Sequence, residues 1–458
     1  MRFYNDALMW RGLGNLLGQE VVGAEERDSD ATPYDLSIPR EIDGLPVLSV
    51  AEGAFSDNLA LRRVVIPSSV QHIGSGAFDP YYFIKPLRQG VFNGATCVAW
   101  DAFKRSRGFE LDEIVVHDDN ERYRSIDGVL FSKDGSEALA YPAARADSRY
   151  DVPEKVEIIR EGAFSGSENL RSIKLPKSVR HVDPQAFYCC FSLEEILVDA
   201  DNAAFRTIDG ALYTRDGSRL VAYPAGRRGT YRAPESLAIV GEGAFCGCSD
   251  LAEATEFERV REIEANGFLG CSALSLIDSL ASCAQIGRAA FADCLSLREA
   301  ILNDAITEIP KNAFQRCSSL ENFEFPRSTR FVGARAFMGC SALAEVSLPE
   351  TIERIEAEAF KDCDELRAIT IPESVKEIGV AAFANCLSLS SARITDGVEI
   401  VRECAFENCP SLASIVLPLS LKKIGADAFD EDMSLLVYSD SYAELWARAN
   451  ERFYDVIL

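Results

Sequence analysis

The sequence predicts a β-rich solenoid, and three observations predict it. A phenylalanine returns every 23 residues at Phe245, Phe268, Phe291, Phe314, Phe337, Phe360, Phe383, Phe406 and Phe429. Phe55, Phe78, Phe103, Phe164 and Phe187 carry the same frame upstream, making fourteen copies. Around each Phe, Ile or Val stands five residues earlier, as in Val50, Ile73, Ile378 and Ile424, and Ala stands one residue earlier in all copies except at Gly267. Leu follows six residues later in twelve of the fourteen, from Leu61 and Leu170 to Leu412 and Leu435. A ring, a β-branched residue, a near-absent side chain and a Leu held in one register describe a coil packed from inside. One such coil cannot bury its apolar face alone, so neighbours must stack.

Each element of the coil has its own signal. The Leu opens a short strand, because Leu343, Val346 and Leu348 alternate with Glu345 and Ser347, and Leu366, Ile369 and Ile371 with Ala368 and Thr370. Period two sends one set inward and exposes the other. Pro follows at a fixed offset in six copies, namely Pro67, Pro176, Pro326, Pro349, Pro372 and Pro418. Its missing N–H and fixed φ end the strand there. A second extended piece, such as residues 374–378, then leads into a turn at Ala-Phe.

These residues resemble the BspA-like leucine-rich repeats. The segment Ile371-Pro-Glu-Ser-Val-Lys-Glu-Ile-Gly-Val-Ala-Ala-Phe-Ala-Asn-Cys-Leu-Ser-Leu389 is similar to that family's short-period consensus almost letter for letter. The resemblance covers roughly nine tenths of the chain and is identified on the repeated motif, an argument of fold rather than of function. It implies a β-rich leucine-rich-repeat solenoid, a right-handed coil of about fourteen repeats with two hairpin insertions and a C-terminal capping helix. It also implies surface adhesion or binding of host proteins.

At 458 residues a chain of ordinary domains would hold about three, but a solenoid grows by adding coils. A net charge of -25 disfavours nucleic acid and anionic lipid as partners. Acidity either keeps a long stack soluble or captures a basic partner, and the sequence leaves both open. Of the fourteen cysteines, Cys190, Cys248, Cys271, Cys294, Cys317, Cys340, Cys363, Cys386 and Cys409 all lie three residues after the repeat Phe. That is a packing position, so reduced, buried thiols are expected rather than disulfides or a metal site. His72, His117 and His181 are too scattered for a metal or catalytic cluster, and no cofactor is expected.

Taken in order, residues 1–34 fall outside the period and read as an N-terminal cap, with extended pieces near Glu20 to Val22 and Leu36 to Ile38. No apolar secretory stretch opens the chain, which points to the cytoplasm, whereas the family resemblance points to secretion or the cell surface if a leader was trimmed. Residues 35–438 form the solenoid. Two insertions, near 117–150 and 199–231, are copies of one another: residues 125–135 recur as 207–217, and the segment around Tyr141-Pro142 recurs at Tyr223-Pro224. Asp-Gly between alternating apolar residues signals a hairpin, so each block reads as two coils plus a protruding hairpin, or a hairpin that widens one coil. Residues 439–458 form the C-terminal cap. There Ser441 and Glu444 make a capping box, and Tyr442, Leu445, Trp446 and Ala449 share a helical face.

No nucleophile elbow, Gly-rich phosphate loop or metal-ligand cluster appears, so a non-catalytic protein-binding scaffold is expected, not an enzyme. The alternative is an intracellular acidic inhibitor that sequesters a basic protein. Candidate partner-binding residues sit two and four places after the repeat Leu, where side chains face out: Arg63, Glu113, Lys174, Glu195, Glu253, Thr255, Asp278, Glu299, Glu324 and Glu345. A second group, Tyr81, Tyr82, Arg88 and Trp100, lies where the frame breaks and basic and aromatic residues concentrate. Such residue types are enriched at interface hot spots, although a decayed coil with rings filling its core gives the same composition.

Overall fold

Backbone ladders and a turn repeated once per coil build the structure, a computed structural model that describes residues 2–4, 8–12, 19–24, 33–56, 58–80 and 109–457. It is a β-solenoid of about 17 turns, with one α-helix among the described residues. Two compact units divide it: residues 1–227 with 241–248, and residues 228–240 with 249–458.

The second unit shows the coil in its regular form. A first ladder of parallel strands runs through Asn322–Glu324, Glu345–Ser347, Ala368–Ile371, Ser391–Ile394, Ser414–Val416, Ser434–Tyr438 and Tyr454–Ile457. Residues one period apart face each other, Asn322 opposite Glu345 and Ala368 opposite Ser391. In Ala368–Ile371 every second residue is buried, which is the alternation that the sequence carries. A second ladder joins the two-residue strands Glu308–Ile309, Phe331–Val332, Arg354–Ile355, Glu377–Ile378, Ile400–Val401 and Lys423–Ile424. The Ile or Val of each pair is the residue five before the repeat Phe, and it is buried in all six.

Between the ladders lies the Ala-Phe turn. Residues two before and two after each Phe from Phe268 to Phe406 adopt the left-handed conformation, for example Arg335 at φ 59° and Gly339 at 75°. This points three N–H groups at the next coil: Arg335 to the Ala357 carbonyl at 2.9 Å, Phe337 to that of Ala359 at 2.8 Å and Gly339 to that of Lys361 at 2.8 Å. The turn therefore forms a third ladder, with no strand and no helix. Inside it the rings from Phe268 to Phe429 stack with centroids 5.2 to 5.8 Å apart and planes within 11°. The Ala before each Phe leaves room for the ring of its neighbour.

The cysteine column sits beside the rings. Most of its thiols donate to the Phe carbonyl of the coil before: Cys317 to Phe291 and Cys340 to Phe314 at 3.1 Å, Cys386 to Phe360 at 3.3 Å and, in the first unit, Cys190 to Phe164 at 2.9 Å. The thirteen described cysteines are free thiols, all buried except the half-buried Cys404. Burial pushes the Cys190 and Cys409 thiols up to about 12, and those of Cys317, Cys340 and Cys363 well above their ordinary range.

In the first unit the strands Tyr34–Ser37, Leu61–Ile66 and Glu113–Val116 make one parallel sheet, and Arg149–Asp151, Ser172–Leu175 and Glu195–Val198 make another. Near the N-terminus, Gln19–Ala24 pairs parallel with Leu45–Val50. The insertions do not stand away from the stack. Tyr123–Ile126, Val129–Ser132 and Glu137–Ala140 form an antiparallel meander whose last strand pairs parallel with Ile158–Ile159. The Asp127-Gly128 turn, at φ 48° and 75°, brings the Gly128 carbonyl to the Ile114 N–H at 2.8 Å, and Gly210 does the same for Ile196 at 2.7 Å. A hairpin that can cover exposed ladder groups does so, since unpaired backbone polar groups are costly.

Two further devices recur in both insertions. Buried Asn120 donates to the carbonyls of Pro67 and Val70 and accepts from the N–H groups of Arg122 and Tyr123, all within 2.9 Å. Asn202 repeats this with Pro176, Val179, Ala204 and Phe205. Arg145 lies over the Tyr141 ring at 5.5 Å and donates to the Asp127 carbonyl; Arg227 lies over Tyr223 at 5.4 Å and donates to the Asp209 carbonyl. Each Arg pins its Asp-Gly turn.

Helix α1 (Tyr442–Ala449) closes the second unit. The Ser441 hydroxyl accepts from the Glu444 N–H at 3.1 Å, and Glu444 reaches back to the Asp440 N–H at 2.8 Å. Its packed face is Ala443, Glu444 and Ala447, while Leu445 is 60% exposed. Small residues let the helix lie close to the sheet, which the spacing of Tyr442, Leu445, Trp446 and Ala449 does not reveal.

Two predictions follow from this packing. Phe337→Ala removes a ring stacked on both sides and should cost about 3 to 5 kcal/mol, read as a lower urea midpoint. Stability should also fall with rising alkalinity. The folded thiols hold their protons above the ordinary value of 9.0 at which the unfolded chain begins to lose them. Stability is thus full below about pH 9 and is lost as the pH climbs towards about 12. Urea midpoints measured from pH 8 to 11 in the presence of reductant should decline, and a Cys340→Ala, Cys363→Ala variant should decline less steeply.

Candidate binding face

The outward positions of the first ladder fall into two columns in each unit, and the units use them differently. In the first unit the side chains engage one another. Arg63 pairs with Glu113 at 2.6 Å, and Glu195 accepts from the Ser172 hydroxyl at 2.7 Å. The Asp-Gly turns also press on these acids: a Cβ on Gly128 would stand 3.0 Å from Cγ of Glu113, and one on Gly210 would stand 3.4 Å from Cβ of Glu195. Lys174 is half-buried, opposite Asp151 in the strand register.

In the second unit Glu253 accepts from the Thr230 hydroxyl at 3.0 Å, and the Thr255 hydroxyl donates to the Tyr231 carbonyl at 3.4 Å. Asp278 accepts from the backbone N–H groups of Glu256 at 2.6 Å, Phe257 at 3.3 Å and Ser279 at 2.7 Å. It holds a loop in place. Glu299, Glu324 and Glu345 differ: all three are exposed, and none has an ion-pair partner among the described residues. Some other charges of the unit do pair from coil to coil, as in Arg330 with Glu353, Arg335 with Glu358, Arg316 with Asp293 and Lys422 with Glu399.

These three acids rim a shallow depression of about 580 Å³, which Ile301, Asn322 and Arg367 also line. Ile301 is 61% exposed at its edge, and Leu276 of the preceding coil is 45% exposed. Charge at the outward positions does not mark either residue. The signal was present, since Leu276 and Ile301 interrupt columns that are otherwise polar or small from Glu253 to Ser391. Tyr81, Tyr82, Arg88 and Trp100 lie outside the described residues.

A cavity of about 360 Å³ in the first unit is lined in part by Glu137, Arg160 and Asp183. Arg160 grips Glu137 through two bonds of 2.8 Å, and Asp183 accepts from the Glu161 N–H at 3.2 Å and meets His181 Nε2 at 2.6 Å. Arg160, Glu137 and Asp183 thus bind one another. Among the described residues no group of three or more His, Cys, Asp or Glu side chains is placed to hold a metal ion. Among them, too, no helix is long and apolar enough to cross a membrane.

The repeating Ala-Phe turn, the Leu-led strand and the Cys column are the pattern of one known family, and residues 42–115, 147–214, 230–344 and 331–438 match the BspA type leucine rich repeat region. The chain belongs to this family. BspA-type leucine-rich repeat proteins are repeat scaffolds that bind other proteins. Among solved structures, a leucine-rich repeat protein from Bacteroides ovatus is 20% identical with all of both chains covered, at a TM-score of 0.43. A leucine-rich cell surface protein from Faecalibacterium prausnitzii is 19% identical over 86% of this chain and 94% of its own, at 0.36. A leucine-rich repeat protein of T. pallidum is 25% identical over 46% of this chain and 81% of its own, at 0.30. No curated protein matches the chain in sequence.

In this BspA-type array, acids that hold the loop and acids that face solvent should separate by mutation. Asp278→Ala removes acceptors for three backbone N–H groups and should cost about 0.5 to 2 kcal/mol, as loss of a helix cap does. Glu345→Gln should stay within about 0.5 kcal/mol of the parent. Thermal denaturation of the two variants checks both.

Proposed function

We propose that the protein is a non-catalytic scaffold whose strand face in the second unit docks a protein partner presenting basic side chains. The observation that carries this reading is the set Glu299, Glu324 and Glu345, exposed, without ion-pair partners among the described residues, and gathered around one depression of the face. Strands hold Glu324 and Glu345 on neighbouring coils about 4.8 Å apart, and Glu299 stands on the coil before them, so a cationic surface meets carboxylates already close together. The net charge of -25 adds a long-range field that steers cations towards the face. Two settings suit this chemistry: adhesion to a cationic matrix or host protein, and sequestration of a basic protein inside the cell. Protease shaving of intact cells separates them, since only the first exposes the chain.

The test uses a short synthetic peptide with lysines flanking a Leu-Val centre, and the same peptide with glutamates for lysines. The lysine peptide should bind, and the glutamate peptide should not. Affinity should fall as salt shortens the screening length to about 10 Å at 0.1 M and below that at higher salt. The triple change Glu299→Gln, Glu324→Gln and Glu345→Gln should weaken binding by roughly fivefold or more with thermal stability unchanged. Binding indifferent to both salt and these changes overturns the assignment to this face.

A further inference from the structure

Within the second unit, one interface between coils is built with fewer bonds than the others, and the candidate binding face crosses it. In the second ladder the residue after each Ile or Val donates to the coil before: Gly287 to Ile263 at 2.7 Å, Gly333 to Ile309 at 2.8 Å, Glu356 to Val332 and Gly379 to Ile355 at 2.9 Å. At the coil in between, that residue is Pro310, which has no N–H to give to Ile286. The ladder stops there: Gln285–Ile286 ends one sheet and Glu308–Ile309 begins the next. A companion bond, Ala284 to Arg261 at 2.9 Å and Arg330 to Thr307 at 2.8 Å, has no counterpart from Thr307 among the described residues.

The first ladder fails at the same coil. Leu276–Ile277 is the last strand of one sheet and Asn322–Glu324 the first of another, and between them residues 298–301 form no strand, with a single bridge at Leu280 and Leu302. Beneath this stretch Ala300 occupies the inward position held by Ile277 in the coil before and Phe323 in the coil after. The small side chain supports its strand poorly, while Phe323 and Phe325, in edge contact at 4.9 Å, crowd the next coil.

The turn is what joins the coils there. Ala289 donates to Lys311 at 3.0 Å, Phe291 to Ala313 and Asp293 to Gln315 at 2.8 Å, Phe291 stacks on Phe314 at 5.2 Å, and the Cys317 thiol reaches the Phe291 carbonyl. In a stack whose stability is a sum of nearest-neighbour terms, the interface with two of its three ladders interrupted parts first. Leu276 and Ile301, both exposed, lie on opposite sides of it. Strand spacing and rise place them on the order of 8 Å apart.

We propose that this interface is a seam in the second unit, and that the partner docks across it, an apolar side chain covering Leu276 and Ile301 while flanking cations meet Glu299, Glu324 and Glu345. Docking and opening of the seam are then coupled: the ligand bridges two coils that the backbone holds loosely, and it binds the closed form better than the open one. The inference rests on the docking reading above and adds to it both the apolar centre of the ligand and the element that the ligand locks.

Amide hydrogen exchange on the full chain tests it, with the Lys-flanked Leu-Val peptide as probe. In the free protein the amides of Ala289, Phe291 and Asp293 should exchange roughly tenfold faster than those of Arg335, Phe337 and Gly339, which make the same bonds elsewhere in the unit. Pro310→Ala, which restores a donor, should shrink that difference, and Ala300→Ile, which fills the strand from below, should do so by a separate route. Saturating peptide should slow the first set of amides and leave the second set unchanged. Equal exchange of the two sets in the free protein overturns the seam whether or not the peptide binds. Peptide that binds without slowing the first set overturns the coupling and leaves the docking reading standing. Peptide that fails to bind while the two sets differ as expected overturns the docking reading, and the coupling with it.

Discussion

The structure depends on the hydrogen bond from the repeat Phe N–H to the Ala carbonyl one coil on, made with the Phe ring lying flat on its neighbour. Backbone and side chain satisfy the same geometry there. The left-handed residues on either side turn two more N–H groups along the stack, so the edge without strands is as fully bonded as the edges with them. A left-handed residue strains any side chain, yet Ala289, Arg335, Glu358 and Cys404 all adopt it. The coil tolerates this because the alternative is an unpaired buried N–H, which costs more than the strain.

Once the turn fixes the spacing, the remaining features are accommodations to it. Cysteine suits the column beside the rings because a small thiol fills the space and still donates to a carbonyl. The insertions obey the same requirement: each lays an antiparallel meander into the ladders, anchors it with a fully bonded buried Asn, and pins its Asp-Gly turn with an Arg stacked on a Tyr. Duplicated sequence has been folded into duplicated hydrogen bonds, and the two blocks agree down to which carbonyls Asn120 and Asn202 reach.

Function occupies what the packing leaves over. In the first unit the outward acids are engaged by Arg63, by Ser172 and by the inserted turns. In the second unit the turns are absent from that face, and Glu299, Glu324 and Glu345 stay exposed without ion-pair partners among the described residues. The interruption at Pro310 and Ala300 falls beside them. A scaffold stiff along most of its length but yielding at one interface can adjust its face to a ligand there without loosening the rest, since each coil couples only to its neighbours.

The sequence by itself determined the coil. Its period, the inward Leu, Ile and Phe, the alternation of the strands, the hairpins at Asp127 and Asp209 and the capping box at Ser441 are all local in the chain, and local chemistry specifies them. The tertiary structure alone decided which outward charges are free. Glu253, Asp278 and Glu299 look alike in the sequence, as outward acids of neighbouring coils. What separates them is whether a hydroxyl, backbone N–H groups or nothing stands opposite in the coil before, and those partners, Thr230 for Glu253 and Glu256 and Phe257 for Asp278, lie 21 to 23 residues away. The same holds for the cap helix, whose spacing marks one face and whose packing chose the small residues of another. A repeat frame predicts where a side chain points because pointing is a property of one coil; what it meets is a property of two.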